Sequence, residues 1–145
     1  MDINIEKFLV YGSFIIVVSV LINTIYYIVQ SITLRLTHLG AGNIKADGTE
    51  QILFEYVRNE PFTLSGYVNL KNMENGDKVT IREYVKMAID DEFHLYAEET
   101  YTNKQEKPII YIRKLPALRG IRITLQQTEG IFKYFPFEFF MGVTG

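Results

Sequence analysis

Apolar residues run almost unbroken through the first part of this chain and alternate with polar ones through the rest. From Phe8 to Leu34 there are 27 residues without a charged side chain. The run is rich in Ile, Val, Leu and aromatics and contains no Pro, which predicts one long helix. At about 1.5 Å per residue it reaches about 40 Å, more than the ~30 Å of hydrocarbon in a bilayer. The residues left over are too few to wrap a helix that is apolar on every side. The expectation is therefore a single transmembrane anchor over 8–34, after a short tail at 1–7.

A cleaved signal peptide fits less well, because its apolar region is shorter and follows a positive start. Here the start is MDINIEK, and the small-residue cluster Gly40-Ala41-Gly42 lies well past the run. The expected localisation is single-pass, in a virion membrane or a host cell membrane. Lys7 precedes the run while Arg35 and Lys45 follow it, so the positive-inside rule leans the remaining domain towards the cytoplasmic side. Gly12, Ser19, Asn23 and Gln30 are separated by seven, four and seven residues and share one helical stripe. Small residues let helices approach closely, and amides hydrogen-bond across the contact. The stripe reads as a helix-packing site, against chance scatter of tolerated polar residues.

Past the glycine-rich stretch, taken as a hinge over 35–47, the period changes to two. Phe62, Leu64, Gly66, Val68 and Leu70 alternate with Thr63, Ser65, Tyr67 and Asn69, as a half-buried strand does. Asn75-Gly76-Asp77 is a turn signal, and Val79 and Ile81 face one way on the strand after it. Further strands are predicted at Gln51–Val57, Phe93–Tyr101, Ile109–Leu115, Ile121–Gln127 and Phe132–Phe140, with Asn43–Ala46 a short eighth. Pro61, Pro108 and Pro116 fall at strand edges or connections, where a missing N–H is tolerated. Seven or eight short strands with no helical pattern between them predict a mainly β fold. It is read as a single antiparallel β-sandwich over 48–145, jelly-roll-like or immunoglobulin-like.

Glu83 interrupts the alternation Val79-Ile81-Glu83-Val85. A bulge that re-aims the strand would resolve this, as would a partner such as Arg82 or Arg122; a functional carboxylate in a cleft is the other reading. Tyr67, Tyr84 and Tyr96 take the polar phase of their strands. They are candidates for a protein interface, where Tyr supplies apolar area and a hydroxyl, or else they cover neighbouring side chains on one sheet. With ten Tyr and no Trp, protein contact is preferred to carbohydrate.

Candidate chemistry is sparse. The chain holds no Cys, two His and a formal charge of −2, which removes disulfides, thiolate metal sites and a Cys nucleophile. It also gives no basic footprint for nucleic acid. His38 and His94 belong to no ligand spacing, and neither a nucleophile elbow nor a P-loop is present. Asp90-Asp91-Glu92 reads as a solvated turn rather than a calcium site. No catalytic residue, cofactor, metal or small-molecule substrate is expected.

Gly48-Thr49-Glu50-Gln51, Leu64–Met87 (LSGYVNLKNMENGDKVTIREYVKM), Leu95–Tyr101 (LYAEETY), Ile123–Gly130 (ITLQQTEG) and Phe135–Phe140 (FPFEFF) together form a set. It resembles an uncharacterised family of small β-sandwich domains in archaeal and archaeal-virus proteins. The resemblance covers roughly Gly48 to Phe140, implies no catalytic residues, and points towards virion or cell-surface structural proteins. The expected function is a membrane-anchored structural protein of a virion, partnered by a lipid bilayer, by itself or by other structural proteins. A cell-surface adhesion or receptor module, or an accessory subunit of a membrane complex, is the alternative.

Overall fold

The computed structural model describes the backbone of residues 5–32, 35–117 and 119–143, with the side chains of 14–27, 37–113, 115–117 and 119–142. The chain divides into two compact units, residues 1–35 with the last two residues, and Leu36–Val143. The first unit holds one helix, α1 (Ile5–Ile32), as the apolar run predicts. Its described side chains, Phe14–Tyr27, are all exposed.

The membrane reading of this helix is corrected. Among the described residues, no helix is long and apolar enough to cross a membrane. The single-pass localisation drawn from the sequence is therefore withdrawn, and with it the virion or host membrane as its address.

The second unit contains eight strands: β1 (Arg35–Lys45), β2 (Gln51–Val57), β3 (Phe62–Asn69), β4 (Lys78–Lys86), β5 (His94–Thr102), β6 (Ile109–Ala117), β7 (Gly120–Glu129) and β8 (Tyr134–Val143). They form two four-stranded sheets, ordered β1-β8-β3-β6 and β2-β7-β4-β5. The registered pairs β2–β7, β3–β6, β3–β8, β4–β5 and β4–β7 are antiparallel. Consecutive strands pass from one sheet to the other, except at β4–β5. This is a jelly roll, which decides between the two sandwich types left open by the sequence.

The alternating apolar positions meet between the sheets. Leu64, Val68, Leu70, Val79, Ile121, Ile123, Leu125, Phe135 and Phe139 are completely buried. On β3, Gly66 is also buried, and the Phe139 ring lies across it. A Cβ there would meet Phe139 Cδ1 at 2.2 Å and the Glu138 carbonyl at 2.7 Å. Gln127, also fully buried, is held by the turn that follows it: its amide donates to the carbonyls of Glu129 and Ile131, and its Oε1 accepts from the Lys133 N–H. That satisfies a polar group that would otherwise be costly to bury.

The residues read as a hinge, 35–47, instead supply a full-length edge strand, β1. A Cβ at Gly42 would come within 2.5 Å of the Phe137 ring. The glycines there serve close packing of an aromatic against the backbone as well as chain freedom.

Ile81, 3% exposed on β4, measures the strand phase. Ile81→Ala is expected to cost about 2–5 kcal/mol in urea denaturation, and a loss below about 0.5 kcal/mol would place the residue outside the core. Gly66→Ala is expected to cost about 1–3 kcal/mol by overpacking against Phe139, although it adds only one methyl group.

Candidate functional site

One concave feature of the sandwich lies on the side where β5 and β6, the edges of the two sheets, stand next to each other. A cleft of about 660 Å³ opens there, lined by Glu83, Tyr96, Glu99, Tyr101, Lys107 and Arg113, with apolar residues of β6 beneath. Bulges in both edge strands shape it. Glu83 pairs with Ala97 and Tyr84 with Leu95, so Tyr96 is the extra residue on β5. On β6 the register moves from Leu115 to Ile112 while β3 moves only from Leu64 to Gly66, which leaves Arg113 in the widened segment. Bulges re-aim side chains in this way and blunt an edge against simple strand addition.

Glu83 is half-buried beside Glu99. Burial pushes its carboxyl above the usual carboxylate range, and the Glu99 charge adds to this. Neither sequence-predicted partner reaches it. Arg82 turns to the outer face, where it binds Glu50 and Glu98, and Arg122 pairs with Glu55 at 2.6 Å. A bulge does lie beside Glu83, but its extra residue, Tyr96, is on the partner strand β5, so Glu83 is not turned outward. The Tyr101 hydroxyl is also pushed up, first by burial and then by its hydrogen bond to Glu99.

The three candidate interface tyrosines do not form one patch. Tyr67 is on β3, 44% exposed, with its ring 5.1 Å from that of Tyr111. Tyr84 is on the other sheet, and its hydroxyl donates to Glu50 at 2.7 Å. Glu50 also accepts from Thr124 at 2.6 Å. Burial raises the Glu50 carboxyl, but these hydrogen bonds and the nearby Arg82 outweigh it and leave the group lowered. Tyr84 thus belongs to a self-contained outer network. Tyr96, 61% exposed, is the one of the three that lines the cleft.

On α1, Ser19 and Asn23 are exposed, and the Ser19 hydroxyl donates back to the Ile16 carbonyl at 2.8 Å. The side chains of Gly12 and Gln30 lie outside the described residues. Glu99, Tyr101, Lys107, Tyr111 and Arg113 were not picked out by motif reading. The available signal was charge segregation, since β5 carries Glu98 and Glu99 with no Lys or Arg, and β6 carries Arg113 and Lys114 with no acid. At the start of β5, His94 approaches Asp91 of the preceding turn at 3.2 Å. Among the described residues no group of three or more His, Asp or Glu is placed to hold a metal.

No family model matches the chain, and no curated protein does. Among solved structures it is similar to one of the Bacillus endospore appendages, a family of disulfide-linked pili. That match has a TM-score of 0.52 and 13% identity over 77% of this chain and 88% of the other. The likeness shows a shared fold. The VP2 subviral particle of infectious bursal disease virus follows at TM-score 0.48 and 8% identity, over 79% of this chain and 34% of that one. The Gt strain of the same virus gives the same values. The chain thus spans about a third of those viral chains.

The position of Glu83 generates a pH dependence. A carboxyl raised in the fold binds its proton more tightly folded than unfolded, so stability falls as pH rises from the ordinary carboxylate range through the raised value. Glu83→Gln is expected to raise the Tm of the dilute chain by a few degrees at pH 7. The gain should vanish on acidification to about pH 4, where the parent carboxyl is protonated. Thermal melts followed by circular dichroism at both pH values check this. An equal gain at both would assign the effect to packing.

Proposed function

We propose that this protein is a structural subunit that assembles with copies of itself and with other structural proteins, as a component of a virion shell. The observation that carries this reading is the exposure of α1. Eleven large apolar side chains between Phe14 and Tyr27 are exposed, from 37% at Val18 to 71% at Tyr27. Contiguous apolar surface of that extent marks an interaction site, because covering it releases about 25 cal/mol per Å². Here the covering surface is the same helix in other copies, with Ser19 and Asn23 lending hydrogen-bonding capacity to the contact.

The fold shared with an appendage subunit is compatible with this reading, as is the resemblance to archaeal and archaeal-virus sandwiches. These 145 residues hold no Cys, so assembly through them would not rest on disulfides. The reading includes no catalytic step.

Sedimentation velocity with electron microscopy tests it. The full chain is expected to form particles many times its mass, and Leu21→Glu to break the helix contacts into much smaller species. A parent chain that sediments as a single copy at every concentration would refute the proposal.

A further inference from the structure

The two edges that border the cleft carry opposite charge, and they lie on the same side of the sandwich. Glu98 is already engaged by Arg82, so Glu99 and Glu83 are the carboxylates that face the cleft. Lys107 and Arg113 line the same cleft. None of these four residues takes part in an ion pair among the described residues. Around them Tyr96, Ile109 and Tyr111 are each between 44% and 61% exposed. Exposed tyrosines and Arg are what interfaces are enriched in, and the unpaired charges beside them can be answered by complementary charges on a partner.

We propose that this side is the contact between two copies of the chain related by a two-fold axis, with Glu83 and Glu99 of each copy meeting Lys107 and Arg113 of the other. A two-fold interface uses one patch twice, so the patch must be complementary to itself. This one is. A rotation that brings acidic β5 onto the second copy's basic β6 also brings β6 onto the second copy's β5. Setting β5 against β5 would instead oppose like charges, which disfavours that register.

The bulges at Tyr96 and Arg113 turn the contact towards side chains and away from a continued backbone ladder. The second copy also completes the cleft. It supplies cations to a half-buried carboxylate that has none of its own, and leaving a charge unpaired there is costly. This contact rests on the assembly reading above but uses a surface separate from α1.

The test mixes unlabelled and ¹⁵N-labelled full chain and joins carboxylates to amines with a carbodiimide. Mass spectrometry is expected to find Glu83 or Glu99 linked to Lys107 between a light and a heavy chain. Glu99→Lys and Arg113→Glu should each lower the yield of dimers at least fivefold, and the two together should restore it to within twofold. Links formed only within one chain, or a double variant no better than either single one, would overturn the contact. If particles still form in that case and dissolve with Leu21→Glu, the assembly reading stands alone; if the parent never associates, both fall.

Discussion

The two sheets are joined through Phe139. Its ring lies flat over Gly66 on the neighbouring strand and stacks against Phe54 of the opposite sheet, with centroids 5.0 Å apart. Phe54 in turn stacks near Tyr56, and Tyr56 meets Phe62 edge-on, so a chain of aromatic contacts crosses the sandwich twice. Such pairs are worth about 0.5–1.5 kcal/mol beyond the area they bury. The absent side chain at Gly66 sets how closely Phe139 can approach, and that approach sets where β3 sits beneath β8. The aliphatic layer of Ile121, Ile123 and Leu125 fills the space that remains.

That arrangement separates the two outer faces in character. On the β2-β7-β4-β5 sheet, Thr80 and Thr124 are buried although they lie on the outward phase. The ring of polar groups about Glu50 and Arg82 covers them. These groups answer one another and leave little to offer a partner. The unsatisfied chemistry is displaced to the β5–β6 side, where the sheets separate and Glu83 takes an inward position that alternation reserves for an apolar residue. A single departure from period two thus coincides with a cleft whose four charged side chains form no ion pair among the described residues.

Much of this was legible in the residues. The Phe62–Leu70 alternation gives β3, the Asn75-Gly76-Asp77 turn separates it from β4, and Ile121, Ile123 and Leu125 mark β7 as a strand. The break at Glu83 marks the site of an irregularity, although the extra residue falls on the neighbouring strand β5. β1 was foreshortened because Gly40, Ala41 and Gly42 present no side chains to alternate, so their strand is recognised by what packs on them. The choice between sandwich types depends on which strands are neighbours, which is long-range information that no local period carries. The cleft was hidden for the same reason: Glu99 and Arg113 come together only through the topology, and each alone reads as an ordinary surface charge. The apolar run gave a helix, but its length alone did not make it a membrane span.

The strand order has a consequence for how the protein is made. β8 lies between β1 and β3, so the first and last strands of the sandwich are partners and the sheet they share has a gap until the end of the chain arrives. β1 and β3 are synthesised early and must remain apart, with their apolar faces open, while about seventy further residues emerge. Such non-local pairing makes folding slow and exposes unpaired edges to neighbouring chains during that interval. On a ribosome, closure of this domain therefore waits until Tyr134–Val143 has emerged.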